Sequence, residues 1–255
     1  MSDVAGISTP GQPGAEVKNV SRLARIAVVI PAYNEAESIA SVVAAVNALK
    51  LEEAVLSPVV VNDCSTDATA EVISRLPCVG LHLPINLGIG GAVQTGLKYA
   101  FRNQFDLAIQ IDGDGQHPPR YIPLLFEQLR RNGWDVAIGS RFIDKEGFQS
   151  TLLRRWGIQF LQWLLKAVSG GVVLDPTSGM RLMNRRAMKM LCDFYPDEYP
   201  EPEAIILYTR HGLKFGEVPV EMSERLGGQS SIQGFHSLYY MFKVSIAIIF
   251  TYLRR

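Results

Sequence analysis

IAVVIPAYNE, residues 26–35, joins a run of apolar residues to a proline and a polar turn. Apolar runs rich in β-branched residues are typical of strands that are buried on both faces of a parallel sheet. Because proline cannot donate a hydrogen bond to a neighbouring strand, we expect this strand to end at Pro31. The polar residues after Pro31 would then lie at the carboxyl end of the strand.

Strand and helix patterns alternate along the rest of the chain. Further strands are predicted at residues 58–61, 79–83, 107–111, 136–139 and 215–220. Helices are predicted at residues 35–50, 67–76, 90–101, 119–131, 152–168 and 186–194, with Ser65 or Thr66 as the N-cap of the second. This alternation predicts an α/β fold in which helices flank a mostly parallel sheet.

Composition divides the chain into three parts. Residues 1–22 are rich in Gly, Pro, Ser and Thr and lack the basic and apolar regions of a signal peptide, which predicts a disordered tail. Residues 23–233 are predicted to form a single α/β domain. Residues 234–255 are predicted to form an amphipathic helix, because their apolar segment contains Lys243 and is shorter than the roughly 20 residues of a membrane-spanning helix.

The charge balance and the cysteines restrict the class of protein. The 25 basic and 25 acidic residues give a formal net charge of zero, whereas nucleic-acid-binding proteins usually carry a basic excess. The three cysteines do not form a CxxC pair, so neither a zinc site nor a disulfide framework is indicated. We therefore expect a cytoplasmic protein that does not bind nucleic acid.

Polar clusters follow three of the predicted strands: PAYNE at residues 31–35, NDCSTD at 62–67 and DGDGQH at 112–117. In open α/β sheets, ligands bind beyond the carboxyl ends of the strands. A single polar cluster at a strand end is common in any protein, but three at the same edge of one sheet predict a binding site.

Asp112 and Asp114 are the candidates for metal binding at this edge. Two carboxylates so close together repel each other unless a cation lies between them. Mg²⁺ and Mn²⁺ bind carboxylate oxygens and substrate phosphates, and Gln116 would add an amide oxygen. A solvated acidic turn is the alternative, but the position directly after a buried strand favours a metal. His117 would be a further ligand or would hydrogen-bond the turn.

Other residues of the clusters are candidates for nucleotide binding. Asp63 would accept a hydrogen bond from a base N–H group, or it would simply belong to a helix N-terminus. Pro31, Tyr33 and Glu35 follow the neighbouring strand, where Tyr33 would stack near a base and Glu35 would contact a ribose. Gly88 begins a glycine-rich helix start, which favours anions although it matches neither GxGxxG nor a P-loop.

Three arginines are candidates for phosphate binding: Arg141 in GSRF, Arg181 in SGMR and Arg225 in ERLGGQSS. All three are expected in loops, and guanidinium groups bind phosphate through two parallel hydrogen bonds. Arg225 lies beside glycines and serines, which predicts a flexible loop that closes over a donor pyrophosphate. Solvated surface arginines are the alternative.

The chain resembles the family 2 glycosyltransferases of GT-A fold through PAYNE, NDCSTD, NLGIGGAVQTG, DGDGQH, GSR, DPTSGMR and EVPV…ERLGGQSS, in this order. It is similar in particular to the branch of dolichyl- and polyprenyl-phosphate sugar synthases, over residues 25–232. The resemblance implies an inverting, metal-dependent hexosyltransferase. Its donor would be a UDP- or GDP-sugar, and its acceptor a polyprenyl or dolichyl phosphate.

The resemblance also implies a role for each candidate residue. The ligands of Mg²⁺ or Mn²⁺ would be Asp112, Asp114 and Gln116. The nucleoside pocket would be lined by Pro31, Tyr33, Glu35 and Asp63. The phosphate-binding arginines would be Arg225 for the donor and Arg141 and Arg181 for the acceptor.

Two departures from the family pattern bear on these roles. NDCS stands where the family usually has DDGS, so Asn62 and Cys64 are unusual whereas Asp63 is retained. The QxxRW motif of processive polysaccharide synthases is absent from the sequence, because Leu152 stands three residues before Arg155. A processive polymerase is therefore disfavoured.

The acceptor decides which catalytic residue is needed. A lipid phosphate is already ionised and requires no strong base. A hydroxyl of a lipid-linked or cell-envelope glycan requires a carboxylate base, for which Glu203 is preferred over Glu201. Acidic residues favoured by the helix dipole are the alternative interpretation of both.

Two segments are candidates for membrane contact, residues 152–168 and 238–253. Both are apolar with aromatic and basic residues, which predicts a protein peripherally attached to the inner face of the membrane. A core helix or a homo-oligomer interface is the alternative.

Two other classes of protein were considered. A nucleotidyltransferase is disfavoured because PAYNEAES lacks a basic glycine-rich loop. A non-catalytic, membrane-associated protein that binds nucleotide sugars is an alternative that the sequence does not exclude.

Overall fold

The computed structural model describes residues 22–143, 173–196 and 200–223, together with residues 162, 164–166 and 243. The strands of these residues are β1 (Ala24–Ala32), β2 (Ala54–Asn62), β3 (Val79–His82), β4 (Leu107–Gln110), β5 (Val136–Ser140), β6 (Arg181–Asn184) and β7 (Phe215–Pro219). The α-helices are α1 (Ile39–Ala48), α2 (Thr69–Ser74), α3 (Gly88–Arg102), α4 (Ile122–Asn132), α5 (Arg185–Asp193) and α6 (Pro200–Arg210).

The described strands form a seven-stranded sheet in the order β3-β2-β1-β4-β6-β5-β7. β1 pairs in parallel with β2 and β4, β2 with β3, and β5 with β7. β6 runs antiparallel to both of its neighbours, β4 and β5. The predicted α/β fold with a mostly parallel sheet flanked by helices is therefore confirmed.

Both faces of the sheet are buried, as the apolar strand patterns predict. Successive side chains of a strand point to opposite faces, so Ile26 and Val28 pack with α1 and α4, whereas Ala27 and Val29 pack with α3, α5 and α6. Gly96 lets α3 approach β1 closely, because a Cβ atom there would lie 2.3 Å from Val29 Cγ1. The carboxyl edge of the sheet is therefore supported by close packing on both faces.

Two helix starts differ from the prediction. α1 begins at Ile39 rather than at residue 35, because residues 36–38 form a turn. α2 begins at Thr69 with Ala68 as its N-cap, so the prediction of Ser65 or Thr66 is wrong. Both differences arise because the polar residues after β1 and β2 bond to each other, which keeps them out of the helices.

β6 is a strand that the sequence pattern does not predict. Its four residues, RLMN, are too few and too polar to be recognised, and pairing with both β4 and β5 makes them a strand. Arg181, expected in a loop, is the first residue of this strand. The antiparallel insertion places Arg181 directly opposite Gln110 of β4.

Several predictions concern residues outside those described. They are the tail at residues 1–21, most of the helix at 152–168, the loop that carries Arg225, and residues 234–255 apart from Lys243. Within the described residues, none of the helices has both the length and the apolar character needed to cross a membrane.

Candidate active site

The carboxyl ends of β1, β2 and β4 lie side by side, because the three strands are neighbours and parallel. Ala32 pairs with Asn62, so the polar clusters at residues 31–35 and 62–67 start at the same level of the sheet. The cluster at residues 112–117 follows β4 at the same edge. The structure therefore brings the three predicted clusters together.

Hydrogen bonds between the first two clusters fix their loops. Asn34 donates its N–H to Ser65 Oγ at 3.0 Å, and its side-chain oxygen accepts the Thr66 N–H at 2.9 Å. Glu35 donates its N–H to Thr69 Oγ1 at 2.8 Å. Because these bonds run in both directions, each loop holds the other in place.

Asp67 strengthens the same contact. Its carboxylate accepts the Ala36 N–H at 3.2 Å and the Thr69 N–H at 2.9 Å. Burial acts to raise the pKa of Asp67, but the hydrogen bonds from Thr69 and Ala36 lower it, and the pKa lies below its ordinary value. The ionised form of Asp67 therefore holds these loops together.

Asp63 connects β2 to the glycine-rich start of α3. Its Oδ1 accepts the Leu87 N–H at 2.7 Å, and its backbone oxygen accepts the Asn86 side-chain amide at 3.2 Å. Gly88 has a φ of +75°, which glycine adopts without strain, and its N–H donates to Asn86 Oδ1 at 3.0 Å. Asp63 and Gly88 are thus brought together, and these bonds engage Oδ1 of the buried Asp63 carboxylate.

The three other predicted nucleoside residues differ in exposure. Pro31 is buried at the end of β1, whereas the Tyr33 ring is 49% exposed at the edge. Glu35 accepts the Ser38 hydroxyl at 2.7 Å, and the same hydroxyl lies 2.8 Å from Gly113 O. Glu35 therefore lies beside the acidic turn, and its predicted contact with a ribose stays a prediction.

The acidic turn after β4 is tightly built. The Asp112 N–H donates to His117 Nδ1 at 3.1 Å, and the Gln116 N–H donates to Asp114 Oδ1 at 2.9 Å. Gly113 must be a glycine, because a Cβ atom there would lie 2.9 Å from Pro31 O. The turn therefore packs against the end of β1 and presents its two carboxylates at the sheet edge.

His117 supports this turn through its ring. It is buried, and its Nδ1 either accepts the Asp112 N–H at 3.1 Å or, when it carries a proton, donates to Asp112 Oδ2 at 3.2 Å. Burial acts to lower the pKa of His117, but the charge and hydrogen bond of Asp112 raise it, and the net shift is upward. The prediction that His117 hydrogen-bonds the turn is confirmed.

The residues at this turn fit a divalent cation that is also bound by substrate. No group of three or more His, Cys, Asp or Glu side chains in the described part of the chain is arranged as a metal site by itself. Asp112 is 29% exposed in its side chain and Asp114 is buried, so the pair lies at the boundary with solvent. Mg²⁺ is commonly held by one or two carboxylates plus substrate phosphates, which matches this arrangement.

Arg141 follows β5 directly and is held by a buried carboxylate. Its Nε donates to Asp175 Oδ2 at 2.7 Å and its Nη2 to Asp175 Oδ1 at 2.6 Å, and Nη2 also donates to Thr177 Oγ1 at 2.8 Å. The Asp175 side chain is 0% exposed and that of Arg141 is 24% exposed. This fork-to-fork geometry orients the guanidinium group at the sheet edge.

The charge environment shows what Arg141 faces. Burial acts to lower its pKa, but the hydrogen bond and charge of Asp175 raise it, as do the charges of Asp112 and Glu201, and the net shift is upward. Asp112 and Glu201 are therefore within electrostatic reach of Arg141. The structure brings Arg141 to the same site as the acidic turn.

Arg181 is 3% exposed and has protein partners on each of its guanidinium nitrogens. Nε donates to Ser178 O at 2.9 Å, Nη2 to Pro176 O at 3.1 Å and Nη1 to Tyr208 Oη at 3.5 Å. These bonds fix the segment before β6. The role of Arg181 in binding an acceptor phosphate stays a prediction.

A small cavity lies on the α3, α5 and α6 side of the sheet. Its polar lining residues are Gln110, Arg181, Tyr195, Glu201 and Tyr208. Gln110 Nε2 is a buried donor without a hydrogen-bond partner in the described structure. A polar lining with an unpartnered donor favours a water molecule or a polar ligand group over an apolar one at this position.

Glu201, and not Glu203, lines this cavity. Burial raises the pKa of Glu201 above its ordinary value, although the positive charge of Arg181 opposes the shift. Glu203 is buried in the same first turn of α6. The preference for Glu203 as a base stays a prediction, but the cavity favours Glu201.

Asp175 and Glu217 belong to the site and were not among the predicted residues. The Glu217 carboxylate accepts the N–H groups of Leu174 and Asp175, each at 2.7 Å. Both acids stand in motifs quoted above, DPTSGMR and EVPV. Glu217 could have been noticed in the sequence, because it is a charged residue inside an otherwise apolar strand pattern.

Arg225 lies outside the described residues. Ser223, the last described residue before it, donates its N–H to Gln116 O at 3.1 Å. The prediction that Arg225 clamps a donor pyrophosphate therefore stays a prediction, and Ser223 places the end of the described chain beside the acidic turn.

The sequence of residues 27–191 matches the family model of glycosyl transferase family 2. The chain is 35% identical over 199 residues to an uncharacterized protein of Methanocaldococcus jannaschii, a match that covers 77% of this chain and 80% of the relative. It is 28% identical over 219 residues to the UDP-N-acetylglucosamine–dolichyl-phosphate N-acetylglucosaminyltransferase of Methanococcus voltae, covering 77% and 84%. It is 27% identical over 257 residues to the polyprenol monophosphomannose synthase of Mycolicibacterium smegmatis, covering 94% of each.

Among solved structures, the chain resembles glucosyl-3-phosphoglycerate synthase of Mycobacterium tuberculosis with a TM-score of 0.67 and 21% identity. The match covers 96% of this chain and 86% of that one. That crystal structure is a complex with Mn²⁺, uridine diphosphate and glucosyl-3-phosphoglycerate. At this level of identity the likeness shows the fold alone.

Proposed function

The chain belongs to glycosyl transferase family 2, and from this membership we propose that it transfers a sugar from a UDP- or GDP-sugar to a polyprenyl or dolichyl phosphate with inversion. The observation that carries the proposal is the meeting of the Asp112–Asp114 turn with Asp63 and Arg141 at one edge of the sheet. Two relatives are named for transfer to dolichyl phosphate and for polyprenol monophosphomannose synthesis, which supports a lipid phosphate as acceptor.

The donor nucleotide would bind along the ends of β1 and β2. Asp63 is held by the Leu87 N–H through Oδ1, and its other carboxylate oxygen would accept a base N–H group. Tyr33 is exposed beside it and offers a ring for stacking. Pro31 and Glu35 complete this pocket in the proposal, and Gly88 opens the nearby helix start, which favours the donor phosphates.

Asp112, Asp114 and Gln116 would hold Mg²⁺ or Mn²⁺ against the donor diphosphate. The chemistry that such an ion supplies when bound is neutralisation of the charge on the departing diphosphate. Arg225 would share this task from the segment after Ser223. Within the protein, His117 and Gly113 keep the two carboxylates at the required edge.

The acceptor phosphate would approach from the side of Arg141. One of its oxygens attacks the anomeric carbon while the bond from that carbon to the donor diphosphate oxygen breaks. The electron pair leaves with the nucleoside diphosphate, and the configuration at the anomeric carbon inverts. Arg141 orients the attacking phosphate, and no general base is required because the phosphate is ionised at neutral pH.

A second candidate acceptor is a hydroxyl of a lipid-linked glycan, and Glu201 favours it. A hydroxyl must lose a proton to a base, and a carboxylate with a raised pKa is better matched to this task at neutral pH. Glu201 lines the cavity beside Arg181 and is within electrostatic reach of Asp112. Glu201 would therefore act as the base for a hydroxyl acceptor, whereas a phosphate acceptor would not require it.

The acceptor experiment uses radiolabelled UDP- and GDP-sugars with Mg²⁺ and purified protein. We expect label to enter the organic phase when polyprenyl phosphate is added and to stay aqueous when it is omitted. Label that reaches only a glycan-bearing lipid would replace the phosphate acceptor by the hydroxyl acceptor. Binding of the nucleotide sugar without transfer to either lipid would favour a non-catalytic binding protein.

Attachment to the inner face of a membrane is part of the proposal. Exposed aliphatic side chains flank the site at Ile85, Leu87 and Ile89, next to Asp63, which is consistent with a site that faces lipid. Residues 152–168 and 234–255 were predicted to supply further contacts. Flotation with lipid vesicles of the full chain and of a chain ending at Gly234 tests this, since unchanged flotation would remove the C-terminal segment from the proposal.

A further inference from the structure

Two carboxylates, those of Asp175 and Glu217, lie on the side of Arg141 away from the acidic turn. In the hydrogen bonds described, they contact neither that turn nor each other's side chain. Glu217 is on β7, and its carboxylate accepts the N–H groups of Leu174 and Asp175 at 2.7 Å each. Asp175 in turn receives Nε and Nη2 of Arg141. A chain of charged hydrogen bonds therefore runs from β7 to Arg141.

The strand register explains how this chain is anchored. β7 pairs in parallel with β5, with Glu217 opposite Ile138, and Arg141 follows the end of β5. Glu217 thus lies on one strand of this pair and Arg141 directly follows the other, and the segment around Asp175 is bonded to both. A carboxylate that accepts two successive backbone N–H groups holds that segment by two charge-assisted bonds.

The pairing changes what Arg141 offers to a ligand. Its Nε and Nη2 are engaged by Asp175 and Thr177, and these contacts leave Nη1 for a substrate oxygen. A long side chain with a single permitted orientation loses less conformational entropy when it binds. Asp175 thus orients the Arg141 guanidinium group, but its negative charge offsets part of the positive charge that Arg141 presents to a ligand.

We propose that Glu217 is a positioning residue for Arg141: it fixes the segment that carries Asp175, and through it the direction of the guanidinium group. Glu217 itself touches no substrate in this arrangement. That Arg141 then receives the acceptor phosphate rests on the proposed function, whereas the positioning does not.

The first test measures the orientation of Arg141 without any turnover. Phenylglyoxal modifies accessible arginine side chains, and the rate at Arg141 is followed by mass spectrometry of the native full chain. In Glu217→Gln we expect the rate at Arg141 to rise about tenfold, because the pairing with Asp175 loosens, while the rate at the exposed Arg75 stays unchanged. An unchanged rate at Arg141 would overturn the proposal.

The second test is a double-mutant cycle with UDP- or GDP-sugar and polyprenyl phosphate. Glu217→Gln should raise the KM for polyprenyl phosphate about tenfold and leave the KM for the donor unchanged. In an Arg141→Ala background the same substitution should have no further effect, because its route of action is removed. Independent, additive losses or an equal rise in both KM values would contradict positioning through Arg141.

Two controls separate positioning from loss of folding. Glu53→Gln removes a carboxylate that pairs with Arg130 at the opposite edge of the sheet and should change neither readout. If Glu217→Gln does not fold, Glu217→Asp keeps the charge and shortens the side chain, and the modification rate is measured on that variant. A wild-type protein that ignores polyprenyl phosphate but shows the expected modification rates would refute the acceptor and leave the positioning role standing.

Discussion

The proposed donor side of the site, formed by the loops after β1 and β2, and the proposed acceptor side, formed by Arg141 and Asp175, are stabilised in different ways. On the donor side, loops that follow the adjacent parallel strands β1 and β2 bond to each other through backbone N–H groups and short polar side chains such as Asn34 and Ser65. On the acceptor side, the positions of Arg141 and Asp175 depend on a charged pair that is 0% exposed at Asp175. The donor side is thus organised by strand order, and the acceptor side by buried charge.

This difference has an energetic consequence. Removing one partner of a buried ion pair leaves an uncompensated charge and costs about 3–5 kcal/mol, whereas an exposed polar contact contributes about 1 kcal/mol or less. We therefore expect substitutions on the acceptor side to lower the free energy of unfolding. Substitutions on the donor side should mainly lower the rate of turnover. Four substitutions test this distinction.

Asp114→Asn should have the largest effect on turnover. It removes a carboxylate from the acidic turn and should lower kcat at least about a thousandfold, which is about 4 kcal/mol, while the fold is kept. Turnover is measured with millimolar Mg²⁺ or Mn²⁺, and folding by circular dichroism. Asp106→Asn, at the amino end of the same strand, is the matched control and should keep turnover. Full activity of Asp114→Asn would exclude the metal role.

Asp175→Asn should have the largest effect on stability. It leaves the Arg141 guanidinium without its ionised partner, so the free energy of unfolding should fall by about 3 kcal/mol in urea denaturation. Asp67→Asn on the donor side, where the carboxylate is exposed, should cost about 1 kcal/mol or less. Equal losses in the two variants would remove the contrast between the two sides.

Glu201→Gln decides which acceptor chemistry the cavity serves. With a lipid phosphate as acceptor, kcat should change less than about threefold, because an ionised phosphate requires no base. With a hydroxyl acceptor, the same substitution should lower kcat about a hundredfold or more. Glu203→Gln, which changes the neighbouring acid outside the cavity lining, shows whether the effect belongs to position 201.

Cys64→Gly should have the smallest effect of the four substitutions, and it should stabilise the protein rather than destabilise it. Cys64 has a φ of +58°, in the left-handed region that favours glycine, and it stands where the family usually has glycine. Removing the strain should raise the free energy of unfolding by up to about 1 kcal/mol, measured as a higher Tm. Cys78→Ser, in a neighbouring segment, is the comparison for loss of a thiol. A lower Tm for Cys64→Gly would show that the Cys64 side chain contributes more through packing than it costs in strain.

The donor side was predicted from sequence far better than the acceptor side. The three clusters follow apolar runs directly, and parallel strands bring their carboxyl ends to one edge, so Asp63, Asp112 and Asp114 could be placed from local pattern. The helix starts after β1 and β2 were missed because Glu35 and Asp67 bond across to the other loop, which no helical period reveals.

The family, the α/β sheet and the edge at which the three polar clusters meet could all be predicted from sequence, because each depends on motifs of residues that are close together in the chain. The three-dimensional structure was needed to show that β6 is antiparallel, that Arg181 is buried, that Glu201 lines the cavity, and that Arg141 is held by Asp175 and, through it, by Glu217. The physical reason is distance along the chain: the Arg141 guanidinium group binds a carboxylate 34 positions away, and the Glu217 carboxylate binds the Leu174 N–H 43 positions away. Charge attraction across such a separation leaves no period in the sequence, whereas burial of a strand does.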